Sequence, residues 1–177
     1  MAIQTVRFAK AVLDRNEAIL FEALGGLDAE ELARQPGPDS NPIGWLMWHL
    51  TRVQDNHLSA MEETEHVWVR DRWYERFGRS DDASDRGRGH TSEEVREFRS
   101  PGVDVLLGYY KAVRSRTDAF LGTVSAGDLE RPVPNVAGDG TVPMRVRLEM
   151  TIVDNIQHSG QIAYLRGLLK GKGWFAS

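Results

Sequence analysis

The chain contains no cysteine. That single absence excludes disulfides, thiolate zinc sites and a cysteine nucleophile of the protein's own. No apolar run approaches the roughly 18 residues that a membrane span requires. The start, Met1-Ala2-Ile3-Gln4-Thr5, has no basic segment leading an apolar one, so no secretory signal is read there. Positive charge is not in excess: 22 Lys and Arg stand against 26 Asp and Glu, a formal net charge of -4. Nucleic-acid binders concentrate basic surface, so no nucleic-acid partner is expected, and no membrane partner either. A glycine-rich phosphate loop and strand-like alternation are also missing. What remains is an all-α, cytoplasmic chain. Its 177 residues, 41% of them hydrophobic, are enough for one domain over residues 1–177 with a real core.

Four long helices are predicted. The first runs over about 3–24, with Val6, Ala9, Val12, Leu13, Ile19, Leu20 and Leu24 at helical spacing, and stops at Gly25-Gly26. Asp28 and Glu31 form a capping box for a short helical turn, after which Pro36-Gly37-Pro38 breaks the chain. The second helix runs over about 43–65, with Asn41 as cap and Pro42 in its first turn. A short helix over 73–77 follows. Residues 78–91, rich in Gly, Asp, Ser and Arg, read as a long mobile loop, and Thr91 with Glu94 makes a second capping box. The third helix is expected to start at Ser100-Pro101 and to end near Gly122, and 123–140 reads as irregular. The fourth runs over about 141–169. Four apolar stripes of this length can be buried only against one another, which makes a four-helix bundle with short extra helices in its connections.

One segment carries chemistry. Asp154 and His158 are four apart on the fourth helix, so both side chains leave one face, one turn apart. Apolar Met150 and Ile162 flank them, and a carboxylate and an imidazole in such company need a partner. A divalent cation satisfies both, the one with charge and the other with a lone pair. His49, within the Leu46, Leu50, Val53 stripe of the second helix, is the third candidate ligand, since bundles assemble metal sites from facing helices. Three protein ligands leave room for water or substrate. The plainer readings stand beside this one. A His–Asp pair at this spacing also forms an ordinary helix hydrogen bond, and a core histidine is more often satisfied by its neighbours than by a metal. His57, two turns past His49 and roughly 12 Å along the axis, is placed away from the ion. His66 and His90 are expected in solvent. Trp45, Trp48, Trp68 and Trp73 read as core, with Trp45, one turn before His49, doubling as pocket wall. Gln161 either faces solvent or orients a ligand.

Two runs resemble a known family. His158-Ser159-Gly160-Gln161-Ile162 resembles the His-x-Gly-Gln-Ile signature of the DinB/YfiT-like superfamily. Gly44-Trp45-Leu46-Met47-Trp48-His49-Leu50 resembles the segment with that family's second-helix histidine. The resemblance implies a bundle in up-down-down-up order, a homodimer, and a divalent metal, usually zinc or nickel, held by three side chains. Many members use His-x-x-x-His on the fourth helix. Here Asp154 takes the first position, which resembles the branch of mycothiol-dependent maleylpyruvate isomerase and related thiol transferases.

Three functions compete. The first is a metal-dependent enzyme that uses a low-molecular-weight thiol such as mycothiol on a small electrophilic substrate, by S-transfer or thiol-assisted isomerisation. The second is a metal-dependent hydrolase using bound water, for which no general base is evident in the sequence. The third is a non-enzymatic stress or binding protein with a structural metal or none.

Overall fold

A computed structural model describes residues 2–136 and 138–175 of the chain. It is all-α apart from one small hairpin. Helices α1 (Ala2–Leu24), α3 (Ile43–Glu62), α7 (Val103–Leu121) and α8 (Met144–Lys170) are long. Short helices fill the connections: α2 (Ala29–Ala33), α4 (Val67–Arg70), α5 (Trp73–Phe77) and α6 (Ser92–Glu97). Both capping boxes form, Asp28 with Glu31 opening α2 and Thr91 with Glu94 opening α6.

The core fixes the direction of each long helix. At one end of the bundle, Leu20 and Leu24 from the end of α1 pack with Ile43 and Trp48 from the start of α3. Leu106 and Tyr109 from the start of α7 join them, with Ile162 and Leu165 from the end of α8. At the other end, Ala9 and Leu13 of α1 meet Met61 of α3, Leu121 of α7, and Met144 and Leu148 of α8. The order is therefore up, down, down, up. Helix α8 packs against both α1 and α3, and α3 also packs against α7. Between the two apolar ends lies a polar layer, in which Gln54 donates to Thr117 (3.0 Å) and Ser159 donates to Asn16 (3.2 Å).

Helix α3 is the centre of the structure. From Ile43 to Ser59 every residue is buried except His49, which is half-buried. A single apolar stripe does not predict this. The chain between α3 and α7 folds back over the face of α3 that the other long helices leave open. That face bears Arg52 and Asp55, which bond to this covering chain and are themselves fully buried.

The ends of the elements differ from the sequence expectation in physically simple ways. Residues 132–134 and 141–143 form antiparallel strands β1 (Pro132–Pro134) and β2 (Thr141–Pro143), with Val133 opposite Val142. Three-residue strands are too short to show alternation. Helix α8 consequently starts at Met144, directly after Pro143, rather than at Thr141. Helix α7 is not capped by Ser100: Gly102 at φ +99° takes a conformation that favours glycine, so the helix begins one residue after it. Helix α3 begins after Pro42, with no side-chain cap. Residues 78–91, expected as a mobile loop, form a pinned layer. The buried Arg52 guanidinium donates to the carbonyls of Asp82 (3.1 Å), Ala83 (2.8 Å) and Asp85 (2.9 Å) and stacks over Trp68.

Candidate metal centre

Helices α3 and α8 run antiparallel in contact, and this brings His49 opposite the Asp154–His158 pair. The two imidazoles meet edge to face, with centroids 4.8 Å apart. His158 Nε2 lies 3.6 Å from Asp154 Oδ2, one helical turn away. One ligand atom from each of His49, Asp154 and His158 can be chosen so that all three lie within 4.8 Å of one another. A tetrahedral cation with bonds near 2.1 Å needs its ligands about 3.4 Å apart, so small side-chain rotations would close the set.

The neighbours prepare both rings for the same role. His49 Nδ1 donates a short hydrogen bond to the Arg86 carbonyl, which can only accept. His158 Nδ1 donates to Gln161 Oε1 (2.8 Å). Each bond engages Nδ1 and leaves Nε2 as the nitrogen available to the cluster, that of His158 standing beside Asp154 Oδ2, which is how ligand histidines are oriented in metalloproteins. Asp154 Oδ1 is buried and has no hydrogen-bond partner among the described residues. Two imidazole Nε2 atoms, one of them beside Asp154 Oδ2, and the unpartnered Asp154 Oδ1 make a donor set that suits a divalent cation.

Protonation is arranged asymmetrically. Burial pushes the His49 pKa down, and the nearby His158 charge adds to this against the Arg86 hydrogen bond and Asp154. Burial also acts downward on His158, but the hydrogen bond and charge of Asp154, together with Gln161, outweigh it and the net shift is upward.

The covering layer holds His49 from behind. Trp45 stacks on the His49 ring at 4.7 Å, 8° from parallel. Its Nε1 donates to His90 Nδ1 (3.3 Å), and His90 Nε2 donates to Asp85 Oδ1 (3.1 Å). Asp85 is clamped by Arg79 (2.7 Å), whose guanidinium lies over Trp48. Gly87, at φ +81°, lies so close to Trp45 that a Cβ there would stand 2.6 Å from the indole. Next to the candidate ligands opens a pocket of about 450 Å³, lined by His49, Val53, His57, Arg86, Val136 and Asp154, with Arg88 and Glu149 among its other walls.

Several single-residue expectations are corrected. His90 is not solvated. It is packed at 5.9 Å on Trp48 and tied to Trp45 and Asp85. His66 is half-buried, 3.3 Å from Asn56 Nδ2. His57 is set apart from the three-residue cluster but lines the same pocket: Thr151 donates to the Arg147 carbonyl (2.9 Å) and receives the His57 Nδ1 proton (3.0 Å). Burial lowers the His57 pKa to about 3, so the ring is neutral. Its spacing of eight from His49, with Val53 between, marks the shared face. Arg86 and Arg147 carried no signal in the sequence, because their roles come from contacts with distant backbone.

The sequence profile of the DinB superfamily matches residues 13–162. The chain belongs to the DinB superfamily. A solved structure, the conserved protein of locus from Enterococcus faecalis, superposes with a TM-score of 0.83 at 28% sequence identity, covering 94% of this chain and 97% of that one. No curated protein matches the chain. As a DinB-like bundle it carries a His/Asp group that could hold a divalent metal. No helix among the described residues is long and apolar enough to cross a membrane.

Proposed function

We propose that His49, Asp154 and His158 hold a divalent cation, zinc or nickel, and that the protein is a metal-dependent enzyme acting with a low-molecular-weight thiol such as mycothiol on a small electrophile. One observation carries the metal reading: two imidazoles bonded through Nδ1 have ligand atoms within 4.8 Å of one another and of the carboxylate of Asp154, whose Oδ1 is buried and unpartnered. A bound cation would supply Lewis acidity, favouring the deprotonated form of a thiol or water in its remaining position. The residues of the chain do the rest. Gln161 and the Arg86 carbonyl orient the ligand rings, Trp45 excludes water from one face of His49, and the adjoining pocket accepts a small molecule. Asp154 at the position of the acidic branch supports thiol-assisted transfer or isomerisation as the reaction class.

A hydrolytic reading draws on His57. It is a neutral imidazole in the same pocket with its Nδ1 proton engaged by Thr151, so its Nε2 can accept a hydrogen bond from a bound water and position it, while a pKa of about 3 makes it a weak base. A homodimer is supported by the outer face of α8, where Val153, Ile156, Tyr164 and Leu168 are exposed.

Elemental analysis of protein purified without an affinity tag tests the metal. About one equivalent is expected, lost in His49→Ala and His158→Ala. Consumption of a model electrophile only with added thiol supports the transferase, and turnover with water alone, lowered in His57→Ala, supports the hydrolase. A metal-free protein with unchanged folding overturns both.

A further inference from the structure

The charged walls of the pocket beside the cluster balance. Arg86 and Arg88 stand against Glu149 and Asp154, two cations and two carboxylates, so these side chains do not select a charged group. His57 is an uncharged wall, and its neighbours fix its hydrogen-bond role. The Thr151 hydroxyl gives its single proton to the Arg147 carbonyl, 2.9 Å away. Toward His57 it can only accept, so the contact of 3.0 Å makes Nδ1 the protonated nitrogen. In a neutral imidazole the other nitrogen is then an acceptor. Burial and the field of Arg147 keep the ring neutral, with its pKa lowered to about 3. His57 Nε2 makes no hydrogen bond among the described residues. It is not one of the sealed, unpartnered polar atoms of the interior either, so it opens on the pocket that the ring lines.

His49, Val53 and His57 follow one another at intervals of four on α3 and line one face in that order. Two turns, about 12 Å along the axis, part the first imidazole from the second. Apolar Val53 stands between them, and Val136 and Val153 widen the apolar wall. A molecule that meets the cluster with one end and fills this middle brings its other end to His57. We propose that His57 is a specificity-determining residue: its Nε2 accepts a hydrogen bond from an uncharged O–H or N–H group of the substrate, which is thus a small neutral electrophile with an apolar body and a donor at the end away from the cluster. This rests on the reading of the pocket as a substrate site. An apolar end leaves the Nε2 lone pair unmet, and an ether or ketone oxygen sets acceptor against acceptor, so both are disfavoured there.

The test is titration of the full-length, chelator-treated protein with benzyl alcohol, benzamide and benzyl methyl ether, followed by NMR of the histidine ring nitrogens. Without a metal, no probe can bind through a cation. The alcohol offers an O–H, the amide an N–H and the ether neither. At least one of the two donors is expected to bind about three- to tenfold more tightly than the ether, the scale of one neutral hydrogen bond, and the tighter one identifies the donor group. The His57 Nε2 resonance, assigned by its loss in His57→Gln, is expected to move to lower frequency with the donor probes and to stay in place with the ether. His57→Leu removes the acceptor and should bring the three affinities together, whereas loss of a merely structural ring would weaken all three alike and keep their ratios. His57→Gln, whose amide oxygen can accept, should retain part of the preference. Should His57→Leu fail to fold, the wild-type affinities and the Nε2 resonance decide by themselves. Equal binding of all three probes overturns the proposal, as does a donor preference that survives His57→Leu or an Nε2 resonance unmoved by a bound donor, and each of these leaves the pocket as a substrate site. No binding by any probe overturns the pocket reading and the proposal together.

Discussion

Helix α3 presents two polar groups, centred on His49 and Asp55 and nearly two turns apart, and they are built on opposite principles. Around Asp55 every demand is met. Oδ1 accepts from the Val67 backbone (2.9 Å), and Oδ2 accepts from the Trp68 backbone (2.9 Å) and the Tyr109 hydroxyl (2.7 Å), with Arg52 3.7 Å away. Both charged side chains are fully buried. Around His49 the accounting is left open: His158 Nε2 is only 3.6 Å from Asp154 Oδ2, a loose contact, and Asp154 Oδ1 is buried with no partner among the described residues. Buried polar groups that satisfy one another hold a fold together, whereas buried polar groups that converge and are satisfied mainly from behind are prepared for something from outside. The difference separates a structural cluster from a functional one better than residue types do, since both contain a carboxylate and a cationic or basic partner four or fewer residues apart.

The comparison predicts which substitutions affect stability and which affect ligand binding. Asp55→Ala leaves Arg52 buried without its carboxylate and should cost about 3–5 kcal/mol in urea unfolding, the largest effect expected. If it costs less than His49→Ala, the two clusters have been assigned the wrong way round. In the open cluster, His49→Ala and His158→Ala should change metal-free stability by less than about 1 kcal/mol. They should abolish metal binding, with a loss above about a hundredfold, or about 3 kcal/mol, read by elemental analysis and competition with a chelating dye.

A pH effect follows from His57. Its folded pKa, about 3, lies below its unfolded value near 6.5, so the folded state refuses a proton that the unfolded chain takes up. The stabilisation is complete above pH 6.5 and is lost as pH falls toward 3, amounting to about 2–3 kcal/mol by about pH 4.5. His49 acts in the same direction. His158, raised, acts in the opposite one: its contribution is full at low pH and fades as pH rises through its folded pKa. Urea midpoints of chelator-treated His57→Gln at neutral and acid pH should show a flatter acid limb than wild type.

Gly87→Ala tests whether the covering layer belongs to the closed or the open group. The added Cβ meets Trp45 and the φ of +81° becomes strained, so about 1–3 kcal/mol of stability should be lost and metal affinity should drop with it. The smallest effect is expected of Gln161→Leu. It removes the acceptor that orients His158 and should weaken metal binding about tenfold, with the unfolding midpoint unchanged.

Much of the open cluster was legible in the sequence because its logic is local. Asp154 and His158 share a face at spacing four, Trp45 reaches His49 at the same spacing, and Gln161 lies three beyond His158, all short-range helix geometry. The closed cluster was invisible, because Arg52 and Asp55 read as the ordinary polar face of an amphipathic helix. Only the covering of that face by residues 63–91 makes them buried. The same covering took His90 out of solvent and turned a glycine- and arginine-rich loop into a pinned wall.

By itself the sequence determined the helices, their apolar stripes and the spacing of three candidate ligands, since these follow from a period of 3.6 residues and from side-chain chemistry. The tertiary structure alone decided that His49 faces the Asp154–His158 pair, that His57 lines the adjoining pocket, and that Arg86 and Arg147 bond to the carbonyls of Val136 and Pro134. Those relations join residues up to about a hundred positions apart, and no periodicity reaches that far: they exist only once packing has closed the bundle.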